Sequence, residues 1–286
     1  MSELFSRVDG IDLSRPLTDA DFERTRMALG RHGVICFPDQ TLTSRQLYDF
    51  SGRFGTLEVN VGGMFQDPEL PEVMILSNIV RDGKPIGIGD AGQDWHTDMS
   101  YSKTVAFANV LYGIEIPVKD GRPLGNTNFA DQAAAWDDLP ADVKARLEGR
   151  IALHDFAKFW DMMRSERNSP RPPLTDEQRR KKPPVHHPVH FRHPLSGRTV
   201  LYANPGYTVR IEGIPQAESD ELLQFLFAHQ VQPKYVHSFS WKPGDVLMWD
   251  NLRVIHKAVA DYGPDTPRHI KRCQVMADRV FGAHPI

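Results

Sequence analysis

Three candidate metal ligands stand far apart along the chain, and the fold must bring them together. His96 and Asp98 lie two residues apart, and His256 ends an apolar run far downstream. Because side chains alternate between the two faces of a β-strand, His96 and Asp98 would point to the same side of a strand. Two imidazoles and one carboxylate cap one face of a metal and leave other positions open, which suits Fe(II) better than a closed, thiolate-rich zinc site. We therefore expect an open metal centre inside a β-rich barrel.

The other histidines are weaker candidates for metal binding. A His-x-Asp triplet is common by chance in a chain with 12 histidines, so His96 alone would more often be an ordinary hydrogen-bonded residue. The apolar strand, turn and strand that lead to His256 favour the metal centre. His154 is predicted on the wall of the cavity. Four histidines in a polar segment further along the chain are predicted to make surface or loop contacts: His186, His187, His190 and His193.

Two arginines follow the distal histidine and predict a bound anion. The segment Gly-Pro-Asp-Thr-Pro at 263–267 is typical of a turn, so the strand with Arg268 and Arg272 should fold back beside the strand with His256. The two arginines are four residues apart and would share one face of a regular strand. A lone arginine at a strand end would more often face solvent. A pair inside a barrel is unfavourable unless an anion meets it, which points to a carboxylate-bearing co-substrate.

Composition places the chain among ordinary globular proteins. Its 286 residues are 40% hydrophobic and 25% charged, with a formal net charge of -3, so no strong field favours nucleic acid or a membrane surface. No apolar run of eighteen residues predicts a membrane span. Cys36 and Cys273 lie in apolar segments and are expected to be buried free thiols. The amino terminus has no signal-peptide pattern, so we expect a cytoplasmic protein.

The order of predicted elements favours one domain over residues 1–286. Helices and strands mix in the first third. Thr18 and a capping box of Thr43 with Gln46 predict the starts of two helices, and Gly33 predicts the end of the first. Strand patterns dominate from His96 onward and include residues 269–276. No internal repeat or linker divides the chain. We predict a β-rich α+β fold, a double-stranded β-helix (jelly roll) with flanking helices. The segment 158–184 is charged and proline-rich, and it predicts either an active-site cover or a solvated surface excursion.

Several short motifs together make the resemblance to a known family specific. The chain resembles the Fe(II)/2-oxoglutarate-dependent dioxygenases that include taurine dioxygenase and 2,4-dichlorophenoxyacetate dioxygenase, and the similarity covers nearly the whole chain. The motifs that carry it are Phe37-Pro38-Asp39-Gln40, Arg53-Phe54-Gly55, Trp95-His96-Thr97-Asp98, Leu153-His154-Asp155-Phe156, His187-Pro188-Val189, Asn204-Pro205-Gly206-Tyr207 and Trp249-Asp250-Asn251.

The resemblance implies a role for each candidate residue. The three ligands named above would hold Fe(II), and Thr127 and Arg268 would hold the distal carboxylate of 2-oxoglutarate. Arg272 would lie near both the substrate and the co-substrate. The family's usual Gly-Gly-Asp-Thr is replaced here by a sequence that ends Gly125-Asn126-Thr127, which retains the hydroxyl. The implied activity is hydroxylation of a small organic, anionic substrate with O2, with release of succinate and CO2.

The substrate is the least determined part of this prediction. Taurine-type relatives have a histidine and a tyrosine where this chain has Asn60 and Gly63, which weakens the case for taurine. Met64, Met99 and Tyr101 fit packed core positions as well as a substrate wall. The predicted substrate contacts are Asn60, Met64, Asn78, Met99, Tyr101 and Arg272.

Other functions remain open at this point. Within the same class, the enzyme could be a hydroxylase or desaturase of an amino acid or natural product. Outside it, the chain could be a non-catalytic jelly-roll protein that binds a metal or ligand, or a metal-dependent hydrolase. A homodimer or homotetramer is also expected.

Overall fold

The computed structural model describes residues 4–59, 65–166, 169 and 172–281. The helices are α1 Asp19–His32, α2 Ser44–Gly52, α3 Gln132–Asp137, α4 Ala141–Leu147, α5 Phe156–Glu166, α6 Asp176–Lys181 and α7 Gln216–His229, with a 3-10 turn at Pro233–Tyr235. The strands are β1 Ser6–Arg7, β2 Val34–Phe37, β3 Val73–Ser77, β4 Val80–Arg81, β5 Lys84–Pro85, β6 Ala106–Glu115, β7 Val118–Lys119, β8 Arg122–Pro123, β9 Thr127–Asp131, β10 Ile151–His154, β11 Val185–Pro188, β12 His190–Arg192, β13 Thr199–Leu201, β14 Thr208–Ile211, β15 Val236–Phe239, β16 Val246–Asp250, β17 Val254–Ala258 and β18 His269–Met276.

Two β-sheets position the candidate site. The larger has six strands in the order β1-β2-β16-β6-β18-β3, and all of its pairings are antiparallel except that of β1 with β2. The smaller has the order β15-β9-β17. Phe129 of the small sheet and Trp249 of the large sheet have ring centroids 5.3 Å apart within one buried apolar cluster. The two sheets therefore pack face to face, with His256 on β17 beside this core.

Local sequence signals fix the first helices as expected. Thr18 caps α1 by accepting a hydrogen bond from the Asp21 backbone N–H, and Gly33 ends the helix at φ 72°, in the left-handed region that glycine adopts at low cost. Thr43 and Gln46 form a reciprocal capping box at the start of α2. These predictions are confirmed.

Helix and strand take comparable shares of the chain, so the structure is mixed α/β and less β-rich than predicted. The main difference lies in the segment 158–184, most of which is helical rather than irregular. Phe159 and Met163 on α5 are buried in an apolar cluster with Tyr207. The charged residues spread along α5 obscured the helical spacing of its apolar side chains in the sequence, because only one face of α5 reaches the core.

The expectations for the cysteines and for membrane-spanning helices can also be compared with the structure. Cys36 and Cys273 are free and buried, as predicted. In the described part of the chain, every helix is too short or too polar to cross a bilayer.

Candidate functional site

The three candidate ligands meet in one buried cluster. One side-chain ligand atom from each of His96, Asp98 and His256 lies within 4.8 Å of the others, and all three residues are buried. Asp98 Oδ1 lies 3.6 Å from His96 Nε2, and Asp98 Oδ2 lies 3.6 Å from His256 Nε2. These separations are too long for hydrogen bonds. The three metal-ligand atoms instead surround a common space between them.

A backbone bridge, rather than a regular strand, brings the two histidines together. His96 and His256 exchange two backbone hydrogen bonds of 3.1 and 2.8 Å, and their rings lie 4.3 Å apart. The expected strand through 96–98 is wrong, because Asp98 begins a turn and Met99 has a φ of 59°. This left-handed conformation is strained for a residue with a side chain. The turn, and not strand alternation, directs the carboxylate toward the imidazoles.

A hydrogen bond to the backbone orients the first imidazole. His96 Nδ1 lies 2.7 Å from the carbonyl oxygen of Asp94, so Nδ1 carries the proton and donates it. Nε2 is then left with a lone pair directed at the cluster. A histidine that binds metal through one nitrogen normally donates from the other in this way.

A buried amide network holds the carboxylate. Asn109 Nδ2 donates to Asp98 Oδ2 at 2.6 Å, and Gln274 Nε2 donates to Asn109 Oδ1 at 3.3 Å. Arg272 Nη1 lies 3.6 Å from the same Asp98 oxygen. Asn109 is fully buried, so its orientation, and with it that of Asp98, is set by these contacts rather than by water.

The electrostatics suit a divalent cation. Burial alone would raise the pKa of Asp98, but Arg272 and the two imidazoles outweigh burial and hold the pKa well below its usual range. Burial lowers the pKa of His256 well below its usual value. The site thus presents an ionised carboxylate beside a neutral imidazole, which is the protonation state that metal coordination requires. The residues present fit Fe(II) as predicted.

Two glycines let the backbone approach the first imidazole closely. A Cβ on Gly206 would lie 2.7 Å from the His96 Cβ, and a Cβ on Gly92, at φ 70°, would lie 3.3 Å from its Cε1. Asn204 fixes the turn around Gly206 by accepting from the Tyr207 backbone N–H. Close packing on two sides holds the His96 ring in place.

Arg268 is a buried cation with an open donor. Its side chain lies over the Tyr262 ring at 5.6 Å and beside Gly125, and its Nε has no hydrogen-bond partner among the described residues. Burial lowers the pKa of Arg268, as expected for a guanidinium removed from water. Arg268 lies just before β18, and Arg272 lies within it. The register shift next to His269 comes from an extra residue on β6, while β18 pairs with β3 without a break from His269 to Cys273. A shared strand face for the two arginines therefore stays a prediction.

Thr127 follows a short segment that lies against Arg268. Thr127 begins β9 and pairs with Ala258 of β17, while Gly125, two residues earlier, contacts Arg268. The Thr127 Oγ1 accepts from Trp241 Nε1 at 3.0 Å, which leaves its own O–H available as a donor. The pair could therefore offer a guanidinium and a hydroxyl to one carboxylate.

The predicted substrate residues have different surroundings. Tyr101 donates to Met99 Sδ at 3.2 Å, and both are buried. Arg272 donates to Met74 Sδ at 3.1 Å and also lies near Asp98. The Asn78 side chain bonds the carbonyls of 263 and 266 and the Arg268 backbone N–H, so it fixes the turn before β18. The predicted contacts Asn60 and Met64 lie outside the described residues.

An aromatic wall over the histidines was missed from the sequence. The Phe159 and Tyr207 rings lie 5.2 and 6.3 Å from the His96 ring, and 5.4 Å from each other. Tyr101 and Phe156 extend this wall, with ring centroids 4.9 Å apart. The spacing of Phe156, Phe159, Trp160 and Met163 along one helix face was the available signal.

Two histidines predicted at the surface are buried. His187 Nε2 lies 2.9 Å from the Ser102 carbonyl oxygen, and His193 Nε2 lies 2.9 Å from Asp250 Oδ2 with both side chains fully buried. The prediction of surface or loop contacts for these two is wrong, since strand pairing around them encloses a polar segment. His154 is also fully buried, near Thr208 and His187.

Comparison with known proteins agrees with this geometry. Residues 2–274 match the family described as taurine catabolism dioxygenase TauD, TfdA family. The chain is 33% identical to the alpha-ketoglutarate-dependent 2,4-dichlorophenoxyacetate dioxygenase of Burkholderia sp. (strain RASC), over 96% of this chain and 91% of that protein. It is 31% identical to pentalenolactone F synthase of Streptomyces avermitilis, over 95% and 90%. A crystal structure of AAD-2 in complex with Mn(II) and N-oxalylglycine superposes with a TM-score of 0.80 at 28% identity, over 99% and 97% of the two chains.

Proposed function

The chain belongs to the TauD/TfdA family of 2-oxoglutarate-dependent non-haem iron dioxygenases, and we propose that it hydroxylates a small organic anion with release of succinate and CO2. The observation that carries the proposal is the convergence of His96, Asp98 and His256 on one buried point. Arg268 adds a buried guanidinium whose Nε has no hydrogen-bond partner among the described residues. These three ligands would hold Fe(II). When bound, the iron and 2-oxoglutarate supply the oxidising chemistry that the side chains themselves lack.

The side chains around the metal position the reactants and exclude water. Arg268 and Thr127 would bind the distal carboxylate of 2-oxoglutarate, because a buried guanidinium without an anion is costly. Phe159 and Tyr207 close one side of the cluster. Asn109 orients Asp98 by donating to its Oδ2. We infer that the two packed sheets form the double-stranded β-helix expected of the family, with this site between them.

An anionic substrate follows from Arg272. Its Nε is buried without a hydrogen-bond partner among the described residues, and its Nη1 lies 3.6 Å from Asp98, at the edge of the metal site. A carboxylate or sulfonate would complete its hydrogen bonds and place a neighbouring C–H near the metal. If that carbon bears an oxygen or sulfur leaving group, hydroxylation leads to cleavage, the outcome expected for an aryloxy acid or a sulfonate.

A second candidate is a hydroxylase or desaturase of a natural product or amino acid. The aromatic wall of Tyr101, Phe156, Phe159 and Tyr207 favours a substrate with an apolar ring or chain. A relative of comparable similarity is a pentalenolactone F synthase. The two candidates are separated by measuring turnover on two groups of compounds. One group contains aryloxyacetates and alkyl sulfonates, and the other contains apolar carboxylic acids and amino acids.

Succinate formation coupled to substrate loss is the direct test. The iron-loaded enzyme should release succinate with one member of the panel only when both O2 and 2-oxoglutarate are present. His96→Ala and Asp98→Ala should abolish it, and near-normal turnover in either variant would show that the metal ligands are misassigned. Product formed without O2 would indicate a hydrolase. Bound iron without a visible charge-transfer band on adding 2-oxoglutarate would indicate a non-catalytic binder.

The co-substrate role of Arg268 has its own test. Arg268→Met should weaken 2-oxoglutarate binding by about tenfold to 100-fold, the loss of a charge-assisted hydrogen bond of roughly 1.5–3 kcal/mol. Arg268→Lys keeps the charge but not the planar donors, so its affinity for 2-oxoglutarate should lie between those of the wild type and Arg268→Met. Unchanged affinity in Arg268→Met would remove Arg268 from the site.

Three further features of the protein are proposals. The segment 158–184 would cover the site, since Phe159 at its start contacts the His96 ring; protection of α5 from proteolysis on substrate binding would support this. A homodimer or homotetramer would be seen by light scattering. A cytoplasmic location would be checked by fractionation.

A further inference from the structure

A groove on the outer side of the aromatic wall contains Lys158, which has no carboxylate partner among the described residues. It has a volume of about 420 Å³ and lies between α7 and β14. Its walls are mainly apolar, and Lys158 is a half-buried cation within it. The residues that line it are Lys158, Thr208, Val209, Asp220, Leu223, Gln224 and Phe227.

The surroundings of Lys158 leave its charge without an anion. Its Nζ donates to the carbonyl oxygen of Thr208 at 2.6 Å and lies 4.7 Å from the centroid of the Phe227 ring. Among the described residues no carboxylate forms an ion pair with Lys158, although Asp220 lines the same groove. Burial lowers the pKa of Lys158 to about 8, so the amine is still mostly protonated at pH 7. A half-buried ammonium that meets only neutral acceptors is costly, and an incoming anion would offset that cost.

We propose that this groove is a second binding site, for a small carboxylic acid whose carboxylate accepts from Lys158 and whose apolar body lies on Val209, Leu223 and Phe227. The volume suits a molecule of the size of a substituted benzoate, since small-molecule sites begin at roughly 300 Å³. The Asp220 carboxylate at the exposed side would disfavour a second negative charge. The expected ligand is therefore a monoanion with a compact apolar body.

The groove backs directly onto the candidate active site. Lys158 directly precedes Phe159 in α5, and Thr208 directly follows Tyr207, so each groove residue is the immediate chain neighbour of a ring that lies against His96. A ligand here would therefore lie behind the aromatic wall without touching the metal ligands. Binding to the groove does not depend on the proposed oxygenase function.

The test uses 4-bromobenzoate as the probe and the full-length protein. Calorimetry should show binding of 4-bromobenzoate and at least about tenfold weaker binding of the neutral 4-bromobenzyl alcohol. Lys158→Met should lose at least about tenfold in affinity for the acid, while Lys158→Arg should retain it. Lys144→Met is the matched control, because Lys144 also lies over an aromatic ring, Trp136, but outside the groove; its affinity should be unchanged.

A second variant and a crystallographic measurement distinguish a loss of binding from misfolding of the Lys158 variant. Gln224→Trp fills the groove from an exposed helix position and leaves Lys158 intact, so it should also weaken binding by at least about tenfold. Anomalous scattering from bromine in a soaked crystal should place the probe beside Lys158. The proposal is overturned if both variants bind as the wild type does, if the alcohol binds as well as the acid, or if bromine appears only at the arginines of the metal site.

Discussion

Replacing Asn109 by leucine should weaken metal binding without removing a ligand. Asn109 is fully buried and donates to Asp98 Oδ2 at 2.6 Å. A hydrogen bond to a charged group contributes roughly 1.5–3 kcal/mol, which corresponds to about tenfold to 100-fold in metal affinity, the usual range for a residue that orients a ligand. Arg272 remains 3.6 Å from the same oxygen and limits the freed carboxylate's motion, so we expect the lower half of that range.

The same substitution should also reduce stability, for a separate reason. Leucine leaves the Nε2 of Gln274 without the Asn109 oxygen that it now bonds at 3.3 Å. A buried donor that loses its partner costs about 1–3 kcal/mol. Loss of stability alone is therefore no proof of a role at the metal site.

The assay separates the two effects by comparing variants. Mn(II) affinity of Asn109→Leu and Gln274→Leu is measured by calorimetry, and the free energy of unfolding by urea titration without metal. Gln274→Leu disturbs the same network but keeps the bond to Asp98, so it should lose stability while Mn(II) affinity changes by no more than about threefold. Equal Mn(II) affinity in Asn109→Leu and wild type, with reduced stability, would refute a role for Asn109 in positioning the ligand.

The remaining predictions concern packing, protonation and a buried ion pair. Gly206→Ala should weaken Mn(II) binding at least about tenfold, because the new Cβ would lie 2.7 Å from that of His96; calorimetry checks this, and wild-type affinity would contradict it. Burial lowers the pKa of His154, so the folded protein keeps this imidazole neutral while the unfolded chain takes up a proton below pH 6.5. Stability should then fall as pH drops, by up to about 1.4 kcal/mol per pH unit from this group, and urea unfolding at pH 7.5 and 5.5 should show a shallower fall in His154→Gln. Arg253 is fully buried and donates to Asp131 at 2.9 Å, so Arg253→Met should cost about 3 kcal/mol in urea unfolding; a change below about 1 kcal/mol would mean that the pair contributes little.

Local patterns predicted the elements whose causes are local. The cap at Thr18, the capping box at Thr43 and the bounds of β18 all follow from short-range spacing. Strand alternation failed at 96–98, because a two-residue bridge and a strained Met99 replace the strand there. Charged residues concealed helix α5, since a helix needs only one apolar face to fold against a core.

The candidate ligands could be named from the sequence because metal coordination demands particular side chains, and few residues of the chain meet that demand together. His96, Asp98 and His256 were identified in this way, and so was Arg268. Spacing along the chain carries no information about Asn109, which is an ordinary strand residue until the sheets pack together. The helical spacing around Phe159 indicates a buried helix face, but it does not show that this ring lies against His96. Only the tertiary structure decided which amide bonds the carboxylate and which ring covers the imidazole, because those contacts join residues that are neighbours in space and not in sequence.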